Sequence, residues 1–158
     1  MAYLHPALDP ARCIPCGLCE VACVEARTGR TGLLPDDVIV LEQRRLAIRV
    51  VEDALPRLDV CIHCTESPCV RVCPHHALLR FPLHGSDGAV RVDLLESRCT
   101  GCGTCVSACP HGAIRRVNVL DLAVKCDGCE GTAAGVPACA PACPYGALSL
   151  VDAPAARR

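Results

Sequence analysis

The sequence predicts an α+β fold in which two small, intertwined modules of short helices and small antiparallel sheets are built around metal centres. Three observations indicate this architecture: sixteen of the 158 residues are cysteine, the cysteines recur in four groups of four, and the chain has no Trp, two Tyr and one Phe. Large aromatic side chains normally supply much of a domain's buried area, and so high a cysteine content is typical of disulfide scaffolds or metal proteins. Disulfides or metal centres formed by the cysteines therefore have to supply the stabilisation that large buried aromatic side chains would otherwise provide.

The four cysteine groups form an internal repeat. In chain order they are Cys13-x2-Cys16-x2-Cys19-x3-Cys23, Cys61-x2-Cys64-x4-Cys69-x3-Cys73, Cys99-x2-Cys102-x2-Cys105-x3-Cys109 and Cys126-x2-Cys129-x9-Cys139-x3-Cys143. The x3 spacing that ends each group fits one helical turn, and in groups two to four a proline follows and turns the chain away. Each repeat therefore predicts a metal loop, a short helical turn, a proline stop and a strand.

Short apolar runs outside the cysteine loops predict the strands of the small sheets. Residues 113–119 and 147–151 follow the third and fourth groups and have partly alternating patterns, and residues 38–51 contain two β-branched runs around a polar turn. We expect the segment 38–51 to form a hairpin inserted between the first two groups. A further turn is predicted at Gly85-Ser-Asp-Gly88, and the tail 152–158 is expected to be frayed.

The cysteine spacing favours iron-sulfur clusters as the metal centres. A C-x2-C-x2-C run followed by x3-C-P is the bacterial signature for [4Fe-4S] binding, in which the fourth cysteine ligates the other cluster of a pair. Glycines inside the loops, Gly17, Gly101, Gly103 and Gly128, allow positive φ angles that turn backbone amides toward cluster sulfurs. Zinc is the alternative metal, but a zinc site needs neither a third cysteine at the x2 interval nor a fourth at x3. Disulfides are disfavoured, because cysteines clustered on helical turns have poor bridging geometry.

The separation of the groups predicts which cysteines share a cluster. Groups two and three are joined by 25 residues, Pro74 to Arg98, so groups one and four meet across the ends of the chain. The predicted inner module is 61–112, and the outer module is 1–60 plus 113–158. The predicted ligand sets for four [4Fe-4S] clusters are Cys61, Cys64, Cys69 with Cys109; Cys99, Cys102, Cys105 with Cys73; Cys13, Cys16, Cys19 with Cys143; and Cys126, Cys129, Cys139 with Cys23.

Over residues 9–151 the chain resembles the four-cluster polyferredoxin family, which includes the iron-sulfur subunits of dimethyl-sulfoxide-reductase-type molybdoenzymes and relatives in hydrogenase, formate and carbon monoxide systems. The resemblance is carried by Cys61-Ile-His-Cys64-Thr-Glu-Ser-Pro-Cys69-Val-Arg-Val-Cys73-Pro and by Lys125-Cys126-Asp-Gly-Cys129 with its continuation to Cys143-Pro-Tyr-Gly-Ala-Leu. The family's interleaved pairing of groups agrees with the separation argument. One departure is Val24 in place of a proline after Cys23, so the first helix is expected to run on toward Gly29.

The resemblance implies a non-catalytic subunit that relays electrons to or from a catalytic oxidoreductase subunit. A tungsten or molybdenum pterin enzyme such as aldehyde oxidoreductase is the first expectation for that partner, with a flavin subunit as a further one. A free-standing polyferredoxin, a carrier associated with hydrogenase or carbon monoxide dehydrogenase, and self-association into a longer wire are the alternatives. The chain is short for the family and lacks the C-terminal segment that many members use to reach a membrane anchor.

Composition and motifs exclude several other classes of function. A net charge of −1 argues against nucleic-acid binding, and no apolar run approaches the roughly 18 residues of a membrane span. The N-terminal residues lack an export signal, which predicts a cytoplasmic protein. Neither a nucleophile motif nor a glycine-rich phosphate loop is visible, so the sequence predicts no catalytic site.

Several charged and histidine residues near the cysteines have ordinary interpretations. Because sixteen thiolates are available, no histidine ligand is expected from His63, His75, His76 or His111, although a hydrogen bond from His63 near a cluster stays open. Lys125 is expected to be exposed, as lysines usually are. The pair Arg44-Arg45 is interpreted as a solvated turn.

Overall fold

The computed structural model describes residues 4–52, 54–83, 88–130 and 132–152. Within these ranges the chain forms four short α-helices and eight strands. The helices are α1 (Leu18–Thr28), α2 (Val38–Gln43), α3 (Pro68–Arg71) and α4 (Thr104–Ala108). The strands are β1 (Leu4–Leu8), β2 (Leu46–Arg49), β3 (Arg57–Val60), β4 (Leu78–Pro82), β5 (Val90–Leu94), β6 (Ile114–Val117), β7 (Leu122–Lys125) and β8 (Leu148–Asp152).

The strands pair into four separate two-stranded antiparallel sheets, β1–β8, β2–β3, β4–β5 and β6–β7. In the β1–β8 sheet Leu4 lies opposite Asp152 and Leu8 opposite Leu148, so the two ends of the chain are joined. The β4–β5 hairpin lies between the second and third cysteine groups. This arrangement confirms the predicted α+β class, and the β1–β8 pairing carries the first and fourth groups to the same end of the molecule. The module boundaries at 60 and 113 stay a prediction.

Helix α1 is longer than the other helices because its sequence allows it to continue past Cys23. It begins after Gly17 and ends at Gly29, which has a φ of 67° and donates its backbone N–H to the Glu25 carbonyl. Val24, at the position where the other groups have proline, is fully buried and keeps its backbone donor for the helix. The expectation that the first helix runs toward Gly29 is confirmed.

The predicted hairpin over 38–51 is wrong in its first half. Residues 38–43 form α2, and the strand β2 pairs instead with β3, with Leu46 opposite Val60. The cause is tertiary packing, because Val40 is completely buried against Val21 and Val24 of α1. Burial of one helical face outweighs the weak strand preference of a β-branched run.

Cysteines occupy the places that apolar side chains hold in other cores. One buried cluster combines four apolar residues with cysteines from the first, second and fourth groups. A second cluster combines cysteines of the second and third groups with residues of β4 to β7. A third, smaller cluster joins α1 to α2. The sheets and helices therefore close around sulfur atoms.

The remaining elements follow the predicted repeat with local differences. Strands β6 and β8 confirm the runs after the third and fourth groups, although β6 ends at Val117 and residues Asn118–Leu120 turn into a short 3-10 helix. The helical turns of groups two and three are α3 and α4, whereas group four has only turns between Cys139 and Cys143. Most of the predicted turn at 85–88 and the tail beyond Asp152 lie outside the described residues. Over the described part of the chain, every helix is too short or too polar to cross a bilayer.

Candidate metal centres

The structure gathers the sixteen cysteines into four sets, called quartets A to D. Quartet A is Cys13, Cys16, Cys19 and Cys143; quartet B is Cys23, Cys126, Cys129 and Cys139; quartet C is Cys61, Cys64, Cys69 and Cys109; quartet D is Cys73, Cys99, Cys102 and Cys105. Each set takes three cysteines from one sequence group and one from another. The first and fourth groups exchange a cysteine, as do the second and third.

Quartets A, C and D each line one small cavity. The other lining residues are mostly apolar, such as Ile48 and Leu148 in A, Val92 and Ile114 in C, and Leu78 in D. In each of these three quartets, four cysteines thus surround a small cavity with mostly apolar walls.

Quartet B is the most deeply buried of the four. All of its cysteines are buried, and three of them lie in the largest apolar cluster or against it. Burial raises the pKa of Cys139, and the neighbouring Cys126, Cys23 and Cys129 raise it further. Cys23, Cys126 and Cys139 share one buried cluster, and Cys129 lies near enough to affect the pKa of Cys139, so the four cysteines of quartet B are close together.

Each quartet contains at least one thiol whose pKa is raised by burial. Burial, with smaller effects from neighbouring groups that include other cysteines, raises the pKa of Cys19 and of Cys69 to about 12. Burial likewise raises the pKa of Cys23 and of Cys105 to about 11. A buried group of four thiolates requires positive charge among the sulfurs, which a metal centre supplies.

Backbone amides point at the cysteine that closes a repeat. The amide of Ala77 donates to Cys73 Sγ and that of Ala147 to Cys143 Sγ, both at 3.3 Å. These two contacts occupy the same place in the repeat, four residues after the cysteine. Burial opposes ionisation of Cys143, but this amide and those of three neighbouring residues outweigh it and lower the pKa of the thiol. Amide donors of this kind favour a thiolate that carries metal charge.

Positive φ angles shape the loops that carry the cysteines. Gly17, Gly101, Gly103 and Gly128 all have φ between 62° and 80°, which confirms the positive φ angles predicted for them. At Gly101 a side chain is also excluded by space, since a Cβ there would lie 2.5 Å from the carbonyl oxygen of Asp121. The loop of quartet D is therefore fitted closely against the end of the β6–β7 connection.

The quartets adjoin one another, and their order A, B, C, D is called the line below. One buried cluster contains cysteines of quartets A, B and C, namely Cys19, Cys23, Cys126, Cys139 and Cys61. Within it Cys139 is affected by Cys19, and Cys126 by Cys61, in the direction that raises the pKa. Quartets C and D share the second apolar cluster, through Cys69 and Cys105. The two ends of the line reach solvent, because Cys16 of A and Cys102 of D are exposed, whereas quartet B is enclosed.

Two arginines expected in a solvated turn are instead part of the structure around quartet B. Arg45 donates its backbone N–H to Cys23 Sγ at 3.4 Å, and its guanidinium contacts Asp127 at 3.3 Å and Glu96 at 3.0 Å. Asp127 also pairs with Arg27 of α1. The expectation of a solvated turn is wrong because these carboxylates, distant in sequence, draw the side chain inward.

Arg44 is anchored in the same way on the other side of the turn. Its Nε lies 3.0 Å from Glu20 of α1, whose other oxygen accepts the backbone N–H of Ile48 at 2.7 Å. Glu20 is itself buried. A charged residue inside a cysteine group was the available signal, since a buried glutamate needs partners of this kind.

The expectation that Lys125 is exposed is also wrong, because this residue is buried, with 2% of its surface exposed. Its ammonium group donates to the carbonyl oxygen of Cys126 at 2.8 Å. It closes β7, whose preceding residues Ala123 and Val124 are buried too. The apolar run Leu-Ala-Val directly before Lys125 was the signal that this position faces inward.

His63 is a buried, neutral histidine beside quartet C. Burial, with the nearby positive charges of Lys125, His5 and Arg91, lowers the pKa of His63 to about 2. Its Nδ1 accepts the backbone N–H of Val92 at 2.8 Å, which joins the second cysteine loop to β5. This hydrogen bond is therefore structural and goes to a strand.

The donor set fits an iron-sulfur cluster. Within the ranges that the structure describes, no three Cys, His, Asp or Glu side chains converge closely enough to hold a single metal ion. Four thiols around an apolar chamber, with amides directed at sulfur, match what a [4Fe-4S] cluster takes from a protein. With such a cluster bound, the chain's own residues would provide sulfur ligands, hydrogen bonds to sulfur and a mostly apolar lining.

Comparison with family models gives matches over most of the chain. Residues 50–153 match the 4Fe-4S dicluster domain, and residues 10–24 match the 4Fe-4S binding domain. The second match covers the first cysteine group, and the first match covers the other three.

Curated proteins with similar sequences come from several bacteria. The electron transport protein HydN of Escherichia coli K12 is 36% identical over 120 residues, covering 69% of this chain and 57% of that protein. The formate dehydrogenase iron-sulfur subunit of Wolinella succinogenes is 38% identical, with 66% and 47% covered. A tetrathionate reductase subunit of Salmonella typhimurium is 39% identical, with 67% and 40% covered.

These matches extend over more than the cysteine motifs, although the chain spans only about half the length of the curated relatives it matches. The dicluster model covers both the inner pair of groups and the fourth group, together with the sheets that connect them. With four thiol quartets of the required chemistry, the chain belongs to the 4Fe-4S dicluster domain family and is an iron-sulfur protein.

Proposed function

We propose that the chain is a non-catalytic electron-transfer subunit that relays electrons through four [4Fe-4S] clusters to or from a catalytic oxidoreductase subunit. The observation that carries this proposal is the line of four quartets with an exposed cysteine at each end, Cys16 in quartet A and Cys102 in quartet D. A relay needs a continuous series of sites and two points of access. Quartets A to D provide both.

The ligands in this proposal are the sixteen cysteines in the four quartets defined above. The three cavities that are each lined by four cysteines support one cluster in each of A, C and D, and the four buried cysteines of B support the fourth. Conservative ligand variants test the pairing. Cys143→Ser is expected to disturb the same EPR signal as Cys13→Ser, whereas disturbance of the Cys99 signal would overturn the pairing.

A bound [4Fe-4S] cluster supplies a one-electron couple whose potential depends on its net charge, on hydrogen bonds to its sulfurs and on solvent exposure. The chain's residues act on each of these. Amides such as those of Ala77 and Ala147 donate to sulfur and stabilise negative charge. Apolar linings exclude water from the cavities, and the enclosed quartet B keeps the middle of the line away from solvent.

The partner is proposed to be a large catalytic oxidoreductase. Support comes from relatives named as a formate dehydrogenase iron-sulfur subunit and as a subunit of tetrathionate reductase. The family resemblance favours a tungsten or molybdenum pterin enzyme, with aldehyde oxidoreductase as the first candidate and a flavin subunit as a further partner. We propose a cytoplasmic location for the complex.

A free-standing carrier is the second candidate function, because relatives named simply as electron transport proteins, such as HydN, also match. A carrier associated with hydrogenase or carbon monoxide dehydrogenase belongs to the same class. Such a carrier would form transient complexes through the exposed ends of the line, and copies could associate end to end into a longer wire.

Anaerobic purification of the tagged chain from its native host distinguishes these functions. A subunit is expected to remain bound to a large catalytic chain at a fixed ratio, and tungsten or molybdenum in that complex would support a pterin enzyme. A small monomer that reduces or oxidises several acceptors would instead establish a free carrier. A chain with clusters and no electron exchange with any acceptor would overturn the relay.

A further inference from the structure

Lys125 is the largest side chain that is fully buried in the described part of the molecule. It lies at the end of β7, directly before the first cysteine of the fourth group. Its Nζ donates to the Cys126 carbonyl at 2.8 Å, which satisfies one of the three donors of an ammonium group. Burial of a positive charge is costly unless negative charge lies close by.

The usual counter-charge for a buried lysine, a carboxylate, is not found beside it. Every ion pair within residues 4–52, 54–83, 88–130 and 132–152 is made by an arginine. The remaining source of negative charge near Lys125 is the thiolates of the cysteine loops.

Lys125 lies beside two quartets. Its Nζ contacts the carbonyl oxygen of Cys126, a member of quartet B, at 2.8 Å, and in the β6–β7 sheet Lys125 lies opposite Ile114, which lines the cavity of quartet C. In agreement with this position, burial raises the pKa of Cys126 and of Cys69, and the charge of Lys125 opposes that effect. The ammonium group therefore lies between the two central sites of the line.

The other buried charges near the line are balanced or act elsewhere. Arg27 and Arg45 approach quartet B, but Asp127 pairs with both and Glu96 with the second. Glu20 is near Cys19 of quartet A and is paired with Arg44. Within the described residues, Lys125 is thus a buried cation whose charge is not offset by an ion pair with a carboxylate.

We infer that Lys125 is the shared counter-charge of the two central clusters, in quartets B and C, and holds their reduction potentials above those of a protein with a neutral residue at this position. The inference rests on the proposed relay. An added electron at either quartet increases negative charge near the ammonium group, and this attraction is strong in a low-dielectric interior. For the end quartets, A and D, we expect a smaller effect, because Lys125 contacts Cys126 of quartet B and lies opposite Ile114 of the quartet C cavity.

Three substitutions at Lys125 separate charge from hydrogen bonding and from size. Lys125→Met removes both charge and donor, Lys125→Gln removes the charge and keeps a donor for the Cys126 carbonyl, and Lys125→Arg keeps the charge. The matched control is Arg71→Met, which removes a cation that lies between two cysteines of the second group but is 67% exposed on its side chain. Water screens that charge.

The measurement is an anaerobic, EPR-monitored redox titration at one fixed pH, with iron and sulfide content determined for each variant and end-cluster signals identified with Cys102→Ser. A unit charge about 10 Å away at an effective dielectric constant of about 20 changes an equilibrium constant on the order of tenfold. We expect the Met and Gln variants to lower the equilibrium constant for reducing two of the four clusters about tenfold, or about 59 mV each. The other two clusters, the Arg variant and the Arg71 control should keep wild-type potentials.

Loss of iron from both neutral variants, with retention in Lys125→Arg, would support the same role for the charge. Unchanged potentials in the neutral variants, a shift in Met but not in Gln, equal shifts at all four clusters, or iron loss in all three variants would overturn it. A wild-type protein without four clusters would instead overturn the proposed relay. The two failures are therefore distinguishable.

Discussion

Individual buried charges determine how the loops around the cysteines are held. Arg45 connects the turn before β2 to Asp127 in the fourth cysteine group and to Glu96 just before the third. Its backbone N–H also reaches Cys23. A single residue thus connects the first and fourth cysteine groups with the segment just before the third.

Replacement of Arg45 by methionine is expected to destabilise the protein. Removing one partner of a largely buried ion pair leaves the other charge less compensated, although Asp127 keeps its contact with Arg27. We expect the apparent unfolding temperature of the anaerobic, cluster-loaded protein to fall by roughly 5–10 °C. The control Arg116→Met breaks an exposed pair with Asp121 and should change it by less than about 2 °C. Equal effects of the two substitutions would contradict a structural role for Arg45.

The loop of quartet D tests the role of close packing at a single glycine. Gly101→Ala combines a positive φ of 62° with a Cβ 2.5 Å from the Asp121 carbonyl, so the loop has to move. We expect loss of about one quarter of the iron, from quartet D, with the other EPR signals kept. Gly103→Ala, two residues away, has a φ of 80° and open space around its Cβ and should keep all of its iron. Iron retention in both variants would show that the Asp121 contact does not control this loop.

At the scale of the elements, the cysteine repeat uses the same backbone shape three times. The third residue after the closing cysteine has a positive φ in each case, at His76, Gly112 and Gly146. Glycine suits this conformation, whereas a histidine is strained there by about 1–2 kcal/mol. His76 is therefore the repeat member whose sequence conflicts with its conformation.

His76→Gly is expected to stabilise the protein. Relief of the strained backbone outweighs the greater flexibility of glycine in the unfolded chain, so the apparent unfolding temperature should rise by roughly 1–4 °C. His75→Gly is the matched control, because His75 is also exposed but does not have a positive φ, and it should lower this temperature slightly. Destabilisation by both substitutions would contradict the strain at His76.

The sequence predicted those elements whose determinants are local. The extension of α1 followed from Val24 in place of proline, and strands β6 and β8 followed from short runs after a cysteine-proline turn. Helix α2 was missed because its cause is non-local: Val40 packs on α1, and the β-branched run alone favours a strand.

The same distinction applies to the candidate site. The type and spacing of the cysteines predicted the kind of metal centre, because the ligand atoms and their spacing along the chain determine which metal centre can be bound. The burial of Lys125 and Arg45 was missed because average exposure of charged residues says nothing about a neighbouring quartet or a distant carboxylate. Charged residues next to ligands are the positions where sequence averages fail in this protein.

At the scale of the whole molecule, four thiol quartets take the place of a continuous apolar core. The sheets have only two strands each, and such small sheets are marginal without further packing. Metal binding and folding are therefore coupled, as in other small metal proteins. The count of clusters is the central quantity, because both the stability of the fold and the continuity of the proposed relay depend on it.

The most direct test is the content of iron, zinc and acid-labile sulfide per chain in anaerobically purified protein, combined with EPR after reduction by dithionite. Four four-iron clusters predict about 16 iron atoms and about 16 sulfides per chain, with magnetically coupled signals from neighbouring reduced clusters. About four zinc ions and no sulfide would make the chain a structural module and contradict the relay.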